Sequence, residues 1–166
     1  MWLDFTPRST SYNLIYDHLS EGDKLRRKLE YIIFDANTGN TKKIKQLKFN
    51  HYKKLKILKF NSYWFRNVED LRIFNNQQLE VIQVGTFCFD GEMDNGYFKI
   101  DNCDSLKEVF TLSNAFANYT DCVITGMNLL AVYSLLDSPS LERLQIIDGF
   151  NGSVHKNNML DLRSKE

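Results

Sequence analysis

Proline and glycine are scarce in this chain, which has two prolines and eight glycines in 166 residues. Flexible linkers between domains are usually rich in these residues or in serine, so the composition argues against a multidomain chain. Hydrophobic residues make up 43% of the sequence and aromatic residues 13%, which is typical of a protein that buries a core. We therefore expect one globular domain.

Cysteine and long apolar runs are also scarce. Cys88, Cys103 and Cys122 form no CxxC pair and are odd in number, so neither a zinc site nor a disulfide framework is indicated. We expect buried thiols that pack as small apolar groups. No apolar run approaches the roughly 18 residues that cross a bilayer, and the first residues lack a secretory signal. These features predict no membrane span and a cytoplasmic location, or a surface or secreted one if the true N-terminus is missing.

Signatures of catalysis are missing as well. The three histidines, His18, His51 and His155, lie far apart, and the chain has no phosphate-binding glycine loop and no G-x-S-x-G motif. Asp101 and Asp104 are in a polar segment that is typical of a turn. We therefore expect no enzyme activity, no catalytic residue, no metal site, no cofactor and no small-molecule substrate.

The chain does contain a repeat centred on leucine. Segments of the form L-x-x-h-x-h, where h is mostly apolar, begin at Leu29, Leu55, Leu79, Leu106 and Leu141, and the first four of these leucines recur at a nearly constant interval. Alternating apolar residues are typical of a half-buried strand. We predict that strands near 29–34, 55–60, 79–84 and 106–111 lie side by side and parallel.

Two further positions recur in phase with the leucine. Phenylalanine stands ten residues after the leucine, at Phe65, Phe89 and Phe116. An apolar residue stands six residues before the leucine, at Phe49, Ile73 and Ile100, and Ile124 stands six residues before Leu130. Asn or Asp follows within two residues of Phe49, Ile73 and Ile100, which indicates a polar turn before the next strand. The repeat therefore predicts a buried, stacked column of the three phenylalanines.

The period, roughly 24 to 27 residues, is within the range of leucine-rich repeats. The chain from about Leu29 to Ile146 resembles leucine-rich repeat proteins, and "NCDSLKEV" followed by "NAF" is most similar to the BspA-like type of bacterial and protist proteins. The resemblance implies a right-handed solenoid with a parallel sheet on its concave face, and a role in binding other proteins. The expected fold is mainly β, or α/β if helices form on the convex face. The expected core is Leu29, Ile32, Leu55, Leu58, Leu79, Ile82, Leu106, Val109, Leu141 and Leu144.

Departures from the repeat set the expected domain limits. The phase slips between Ile124 and Leu141, so we expect about half a turn to be missing and an irregular segment at 129–140. We assign 1–28 to an N-terminal helical cap or leader, 29–162 to the solenoid and 163–166 to a tail. A different reading of 10–29 is the remnant of an F-box, which would make the protein a ubiquitin-ligase adaptor.

Charge is divided along the chain although the total is zero. Residues 1–68 carry 14 Lys and Arg against 6 Asp and Glu, a net +8, and residues 69–166 carry 7 against 15, a net −8. Eight lysines are in 42–60 among Phe49, Tyr52 and Phe60, a pattern that also suits nucleic-acid or anionic-surface binding. The zero total and the lack of arginine there favour lysines on solvated faces between core positions, so nucleic acid is the disfavoured partner.

The period-two rule identifies the residues that point outward from the predicted strands. They are Tyr31, Ile33, Ile57, Lys59, Val81, Gln83, Glu108 and Phe110, followed by Arg143 and Gln145 in the last segment. Many are apolar, and exposed apolar patches usually mark interaction sites. We predict that a protein partner binds across them, against the alternatives that β-forming residues merely suit strands or that 1–28 covers the patch.

Overall fold

Apolar residues alternate with polar ones twice in each repeat, and the computed structural model places a strand at each of these stretches. It describes residues 2–3, 29–34, 40, 42, 44–91, 95–125, 131–133, 143–147 and 153–155, with the backbone alone for 2–3 and from 131 onward. The strands are β1 (Trp2–Leu3), β2 (Tyr31–Phe34), β3 (Gln46–Asn50), β4 (Ile57–Phe60), β5 (Asp70–Phe74), β6 (Val81–Val84), β7 (Gly96–Asp101), β8 (Glu108–Thr111), β9 (Tyr119–Thr125), β10 (Ala131–Tyr133), β11 (Arg143–Ile147) and β12 (Ser153–His155).

The strands form two parallel sheets, and each coil of the chain contributes one strand to each sheet. The odd sheet has the order β1-β3-β5-β7-β9-β11, and the even sheet has the order β12-β10-β8-β6-β4-β2. The result is a β-solenoid of about four turns, with no helix among the described residues. The prediction of parallel strands side by side is confirmed for the leucine segments, although each strand begins two residues after its leucine.

Register between neighbouring strands shows how many residues each connection spans. The step along the chain from the odd sheet to the even sheet has the same number of residues in three coils, namely from Gln46 to Ile57, from Asp70 to Val81 and from Tyr97 to Glu108. It is one residue shorter in the next coil, from Asp121 to Ala131. The opposite connection varies, because the step from Val81 to Tyr97 is three residues longer than the step from Ile57 to Asp70. The extra residues of the longer coil therefore lie between Val84 and Gly96.

The core is a stack of equivalent side chains from successive coils. Leu55, Leu79 and Leu106 are fully buried. In each case the leucine amide donates a hydrogen bond to the carbonyl three residues earlier, so one tight turn precedes every even strand. Fully buried members of the predicted core also include Ile32, Leu58, Ile82 and Val109. Leu29 is partly buried against this core, Leu141 lies outside the described residues, and only the backbone of Leu144 is described.

The phenylalanine column is confirmed. Phe65, Phe89 and Phe116 are at most 2% exposed. The ring centroids of Phe65 and Phe89 are 5.8 Å apart, and those of Phe89 and Phe116 are 4.9 Å apart, with the rings nearly parallel in both pairs. The second recurring series is also confirmed, because Phe49, Ile73, Ile100 and Ile124 are register partners in the odd sheet and are fully buried.

Three corners in each coil have a positive φ without glycine. They are His51, Asn75 and Asn102 at the first corner, Tyr63, Phe87 and Asn114 at the second, and Phe65, Phe89 and Phe116 at the third, with φ between 51° and 67°. The number of residues between the first and second residue of a corner is the same at all three corners, and so is the number between the second and third. The backbone conformation therefore repeats along with the side chains. A left-handed residue with a Cβ costs roughly 1–2 kcal/mol, and the packing of each corner must offset that cost.

The expectation that half a turn is missing is wrong. Ala131 in β10 is the register partner of Glu108 and also of Ser153, so the even sheet continues through this region. The prediction that the segment aligned on Leu141 continues the series of leucine strands is wrong, because Arg143 in β11 pairs with Asp121 of the odd sheet. Arg143 and Gln145 therefore do not extend the predicted docking face. Most of 129–140 lies outside the described residues, so its irregularity stays a prediction.

The N-terminal segment is described only at its start. Trp2 and Leu3 form β1, which pairs with Gln46 and Leu47 at the edge of the odd sheet. The helical cap and the F-box reading fall on residues outside the described part. Among the residues that the structure describes, no helix has the length and apolar character needed to cross a membrane.

Replacing Leu79 or Leu106 by alanine should lower the free energy of unfolding by about 2–5 kcal/mol, because a fully buried leucine leaves a cavity between coils. Leu112→Ala is the matched control, since Leu112 is 42% exposed. Its cost should stay within about 0.5 kcal/mol, as for a surface change. Urea denaturation measures all three, and equal losses at Leu79 and Leu112 would contradict the core assignment.

Candidate functional site

The outward side chains of the even sheet form the surface that we call the even face. Register places them in two rows: Tyr31, Ile57, Val81 and Glu108 in the first, and Ile33, Lys59, Gln83 and Phe110 in the second. All eight are half-buried or exposed, with Tyr31 43% and Phe110 37% exposed. The structure therefore brings every predicted partner-binding residue of these four strands onto one surface.

The outward face of the odd sheet has a different chemistry. Its nine residues from β3, β5 and β7 are Gln46, Lys48, Asn50, Asp70, Arg72, Phe74, Tyr97, Lys99 and Asp101. Five of them are charged and most of the charges are neutralised within the face, as in the ion pairs Arg72–Asp70 at 2.9 Å and Lys99–Asp101 at 3.2 Å. The even face has two charged residues among eight, Lys59 and Glu108, and is the apolar side of the solenoid.

Hydrogen bonds and rings hold the charges of the odd face in place. The bond to Asp70 raises the pKa of Arg72, whose guanidinium also lies 5.4 Å from the ring centroid of Tyr97. The Thr125 hydroxyl donates to Asp101 and, with Lys99, lowers the pKa of that carboxyl. Groups that are satisfied by neighbours on their own sheet gain little from a partner.

One rim of the even face carries an alternating row of charges, which we call the charge ladder. It consists of Glu30, Lys56, Glu80 and Lys107, each directly before an even strand. Lys56 Nζ lies 3.1 Å from Glu30, and Lys107 Nζ lies 2.9 Å from Glu80. The hydrogen bond with Glu30 raises the pKa of Lys56, and the hydrogen bond with Lys107 lowers the pKa of Glu80. This rim is therefore neutral overall and already paired.

The opposite rim opens into a groove of about 360 Å³. Its lining residues are Lys59, Phe60, Asn61, Ser62, Gln83, Val84, Gly85, Phe110 and Leu112. Lys59, Gln83 and Phe110 belong to the second row of the even face, so the groove is continuous with that face. Phe110 and Leu112 provide exposed apolar surface at the end of β8.

Gly85 forms part of the groove because two coils approach each other closely there. A Cβ at this position would lie 2.6 Å from the backbone nitrogen of Ser62 and 2.7 Å from the carbonyl carbon of Asn61. Sequence reasoning did not find the groove. The available signal was a glycine at a repeat position occupied by Asn61 in the preceding coil and Leu112 in the next, since glycine permits close backbone approach.

The lysines of 42–60 do not share one surface. Lys48 points outward from the odd sheet, Lys59 points outward from the even sheet, and Lys56 belongs to the charge ladder. Lys45 forms an ion pair with Glu69 at 2.5 Å. The core positions among them, including Leu47 and Phe60, are buried. This arrangement agrees with the interpretation of the lysines as residues on solvated faces between core positions.

The three cysteine thiols are buried in the structure. Cys88, Cys103 and Cys122 are free and buried, as expected. Burial raises the pKa of Cys88 to about 11 and of Cys103 to about 12, and it raises the pKa of Cys122 further. Searched over the described residues, His, Cys, Asp and Glu form no group of three or more that could hold a metal ion.

In comparisons with known proteins, no family model, no curated protein and no solved structure matches the chain.

The three thiols should resist modification in the folded protein. Because burial keeps them protonated, Ellman's reagent at pH 8 should label none in the native state and all three after denaturation. An unfolded thiol ionises near pH 8.5, so stability should fall as the pH rises from there toward the folded pKa values of about 11 and 12. A native thiol that reacts within seconds would contradict the burial.

Gly85→Ala should destabilise the protein by about 1–3 kcal/mol, the range for overpacking, because the new Cβ meets backbone atoms that cannot rotate away. Ser62→Ala, on the facing coil, removes one hydroxyl oxygen and should change stability by no more than about 0.5 kcal/mol. Thermal unfolding followed by circular dichroism separates the two variants, and an unchanged midpoint in Gly85→Ala would mean that the coils lie farther apart.

Proposed function

We propose that the protein is a non-catalytic protein-binding module whose partner docks on the even face. The observation that carries the proposal is the contrast between the two outward faces of one solenoid. The odd face neutralises most of its charges internally, whereas the even face leaves Tyr31, Ile57, Val81 and Phe110 in contact with solvent at least in part. Exposed apolar patches on a folded chain usually mark interaction sites.

The geometry of the even face suits a macromolecular partner. Its rows run across four strands that share a continuous parallel register, from Tyr31 on β2 to Glu108 on β8. Rigid strands lose little conformational freedom on binding, which lowers the entropic cost of association. The aromatic side chains Tyr31 and Phe110 are the residue type that dominates binding energy at interfaces.

The resemblance to leucine-rich repeat proteins of the BspA-like type also supports the proposal. Solenoids of this kind present extended surfaces for binding other proteins. The basic first half and the acidic second half of the chain favour one orientation of a charged partner along the solenoid axis. The lysines of 42–60 point in different directions, which gives less support to nucleic-acid binding.

Ile57→Ser combined with Phe110→Ser should abolish recovery of the partner in a pull-down from the native source, quantified by mass spectrometry. The double variant should keep its fold, because both residues point outward. Phe74→Ser is the matched control, since Phe74 points outward from the odd sheet, and its partner recovery should equal that of the unmodified protein.

Recovery that survives in the folded double variant, or that is lost in Phe74→Ser, would move the site away from the even face. Binding to mixed RNA is measured in parallel at two salt concentrations, because phosphate contacts weaken steeply with ionic strength. Tight, salt-dependent RNA binding would replace the proposal with nucleic-acid recognition.

A further inference from the structure

Lys59 differs from the other lysines of its sheet. Lys56 and Lys107 are paired with carboxylates of neighbouring coils in the charge ladder. Lys59 lies in the second row of the even face and forms no ion pair with any residue that the structure describes. Its register neighbours are Ile33 and Gln83, neither of which is charged. Among the residues that the structure describes, Lys59 is therefore a cation without a carboxylate partner.

The groove beside Lys59 has the same excess of positive charge over negative charge. The nine described residues that line it include one cation and no carboxylate. The side-chain amides of Asn61 and Gln83 and the hydroxyl of Ser62 form no hydrogen bond within the described part of the chain, so donors are available at its rim. The remaining surface is largely apolar, with Phe110 and Leu112 exposed at one side. Apolar walls with a few convergent polar groups are the usual composition of a binding site.

Taking the proposed docking on the even face as its basis, we infer that the groove receives an acidic and apolar segment of the protein partner. A large apolar side chain enters between Phe110 and the backbone at Gly85, and the carboxylate of an adjacent Asp or Glu contacts Lys59 Nζ. Charge-assisted hydrogen bonds to a partly desolvated ammonium are stronger than neutral ones. One cation matches one carboxylate, whereas phosphate groups are usually held by several cations or by arginine.

A segment of a protein fits this site better than a small organic acid. The groove is open and continuous with the rows of the even face through Lys59, Gln83 and Phe110. A ligand confined to the groove would leave Ile57 and Val81 exposed. An extended chain covers these residues as well and places alternate side chains at regular intervals along the surface.

Panning a random peptide library on phage tests the inference with the folded protein as bait. The unmodified protein should select peptides with Asp or Glu next to a large apolar residue. Lys59→Gln should lose this acidic preference, and Lys59→Glu should select against acidic residues. Lys53→Glu is the matched control, because Lys53 is an exposed lysine in the turn before β4 and should keep the original selection.

A synthetic peptide from the selection and its amide analogue, with Asp changed to Asn or Glu to Gln, then give a double-mutant cycle. The amide change should weaken binding to the unmodified protein by about 10- to 100-fold, the range for hydrogen bonds to a charged group. It should have no effect on Lys59→Gln. Fluorescence polarisation measures the four dissociation constants, and circular dichroism checks the fold of each variant.

The outcomes separate this inference from the docking proposal. Peptides that need Ile57 and Phe110 but tolerate the amide change would overturn the carboxylate contact and leave docking on the even face intact. Peptides insensitive to Ile57→Ser and Phe110→Ser, or a panning that selects none, would overturn both. Loss of binding only when the peptide's C-terminus is amidated would assign the carboxylate to a chain terminus and overturn the internal segment.

Discussion

The solenoid depends on aromatic rings that stack from coil to coil at a backbone corner where L residues are disfavoured. Phe65, Phe89 and Phe116 all have a positive φ, and their rings form the buried column. Glycine would remove the strain, which is roughly 1–2 kcal/mol per residue, but it would also remove the ring. Burial of a phenylalanine contributes about 1.5–3 kcal/mol, so the burial of each ring offsets the backbone strain at its own corner. A coil of this shape is stable because another coil lies beside it.

The other corners use different chemistry for the same purpose. Asn102 donates a 2.6 Å hydrogen bond from its side chain to that of Asn75, and Tyr63 stacks on Phe87 at 5.4 Å. Fully buried Asn76 also bridges coils, because its side chain accepts from the amide of Tyr52 and donates to the carbonyl of Phe49. Since inward and corner positions serve the stacking, the outward positions are free to differ between the sheets. That freedom allows one apolar face and one charged face.

Sequence reasoning could identify the features that repeat in phase. The leucine, the phenylalanine and the alternation in each strand follow from burial, so the parallel even sheet and eight outward residues were predictable. The sheet that contains the Leu141 segment was not predictable, because strands of both sheets have a similar alternation of apolar residues. Only the pairing of Arg143 with Asp121 between coils shows that this segment belongs to the odd sheet. The left-handed corners were not predictable, since phenylalanine has no intrinsic preference for them. The groove depends on backbone approach at Gly85, a tertiary contact that has no local pattern.

The unequal connections also bear on how such a chain can change over generations. The passage from the odd to the even sheet contains the tight turn and the leucine in three coils, and it differs by only one residue in the next coil, from Asp121 to Ala131. The return passage already differs by three residues between two coils while the sheets remain aligned. Insertions, duplicated coils and new surface loops can therefore accumulate between Val84 and Gly96 and at its counterparts. The connections from the even to the odd sheet therefore accept larger changes in length than the connections from the odd to the even sheet.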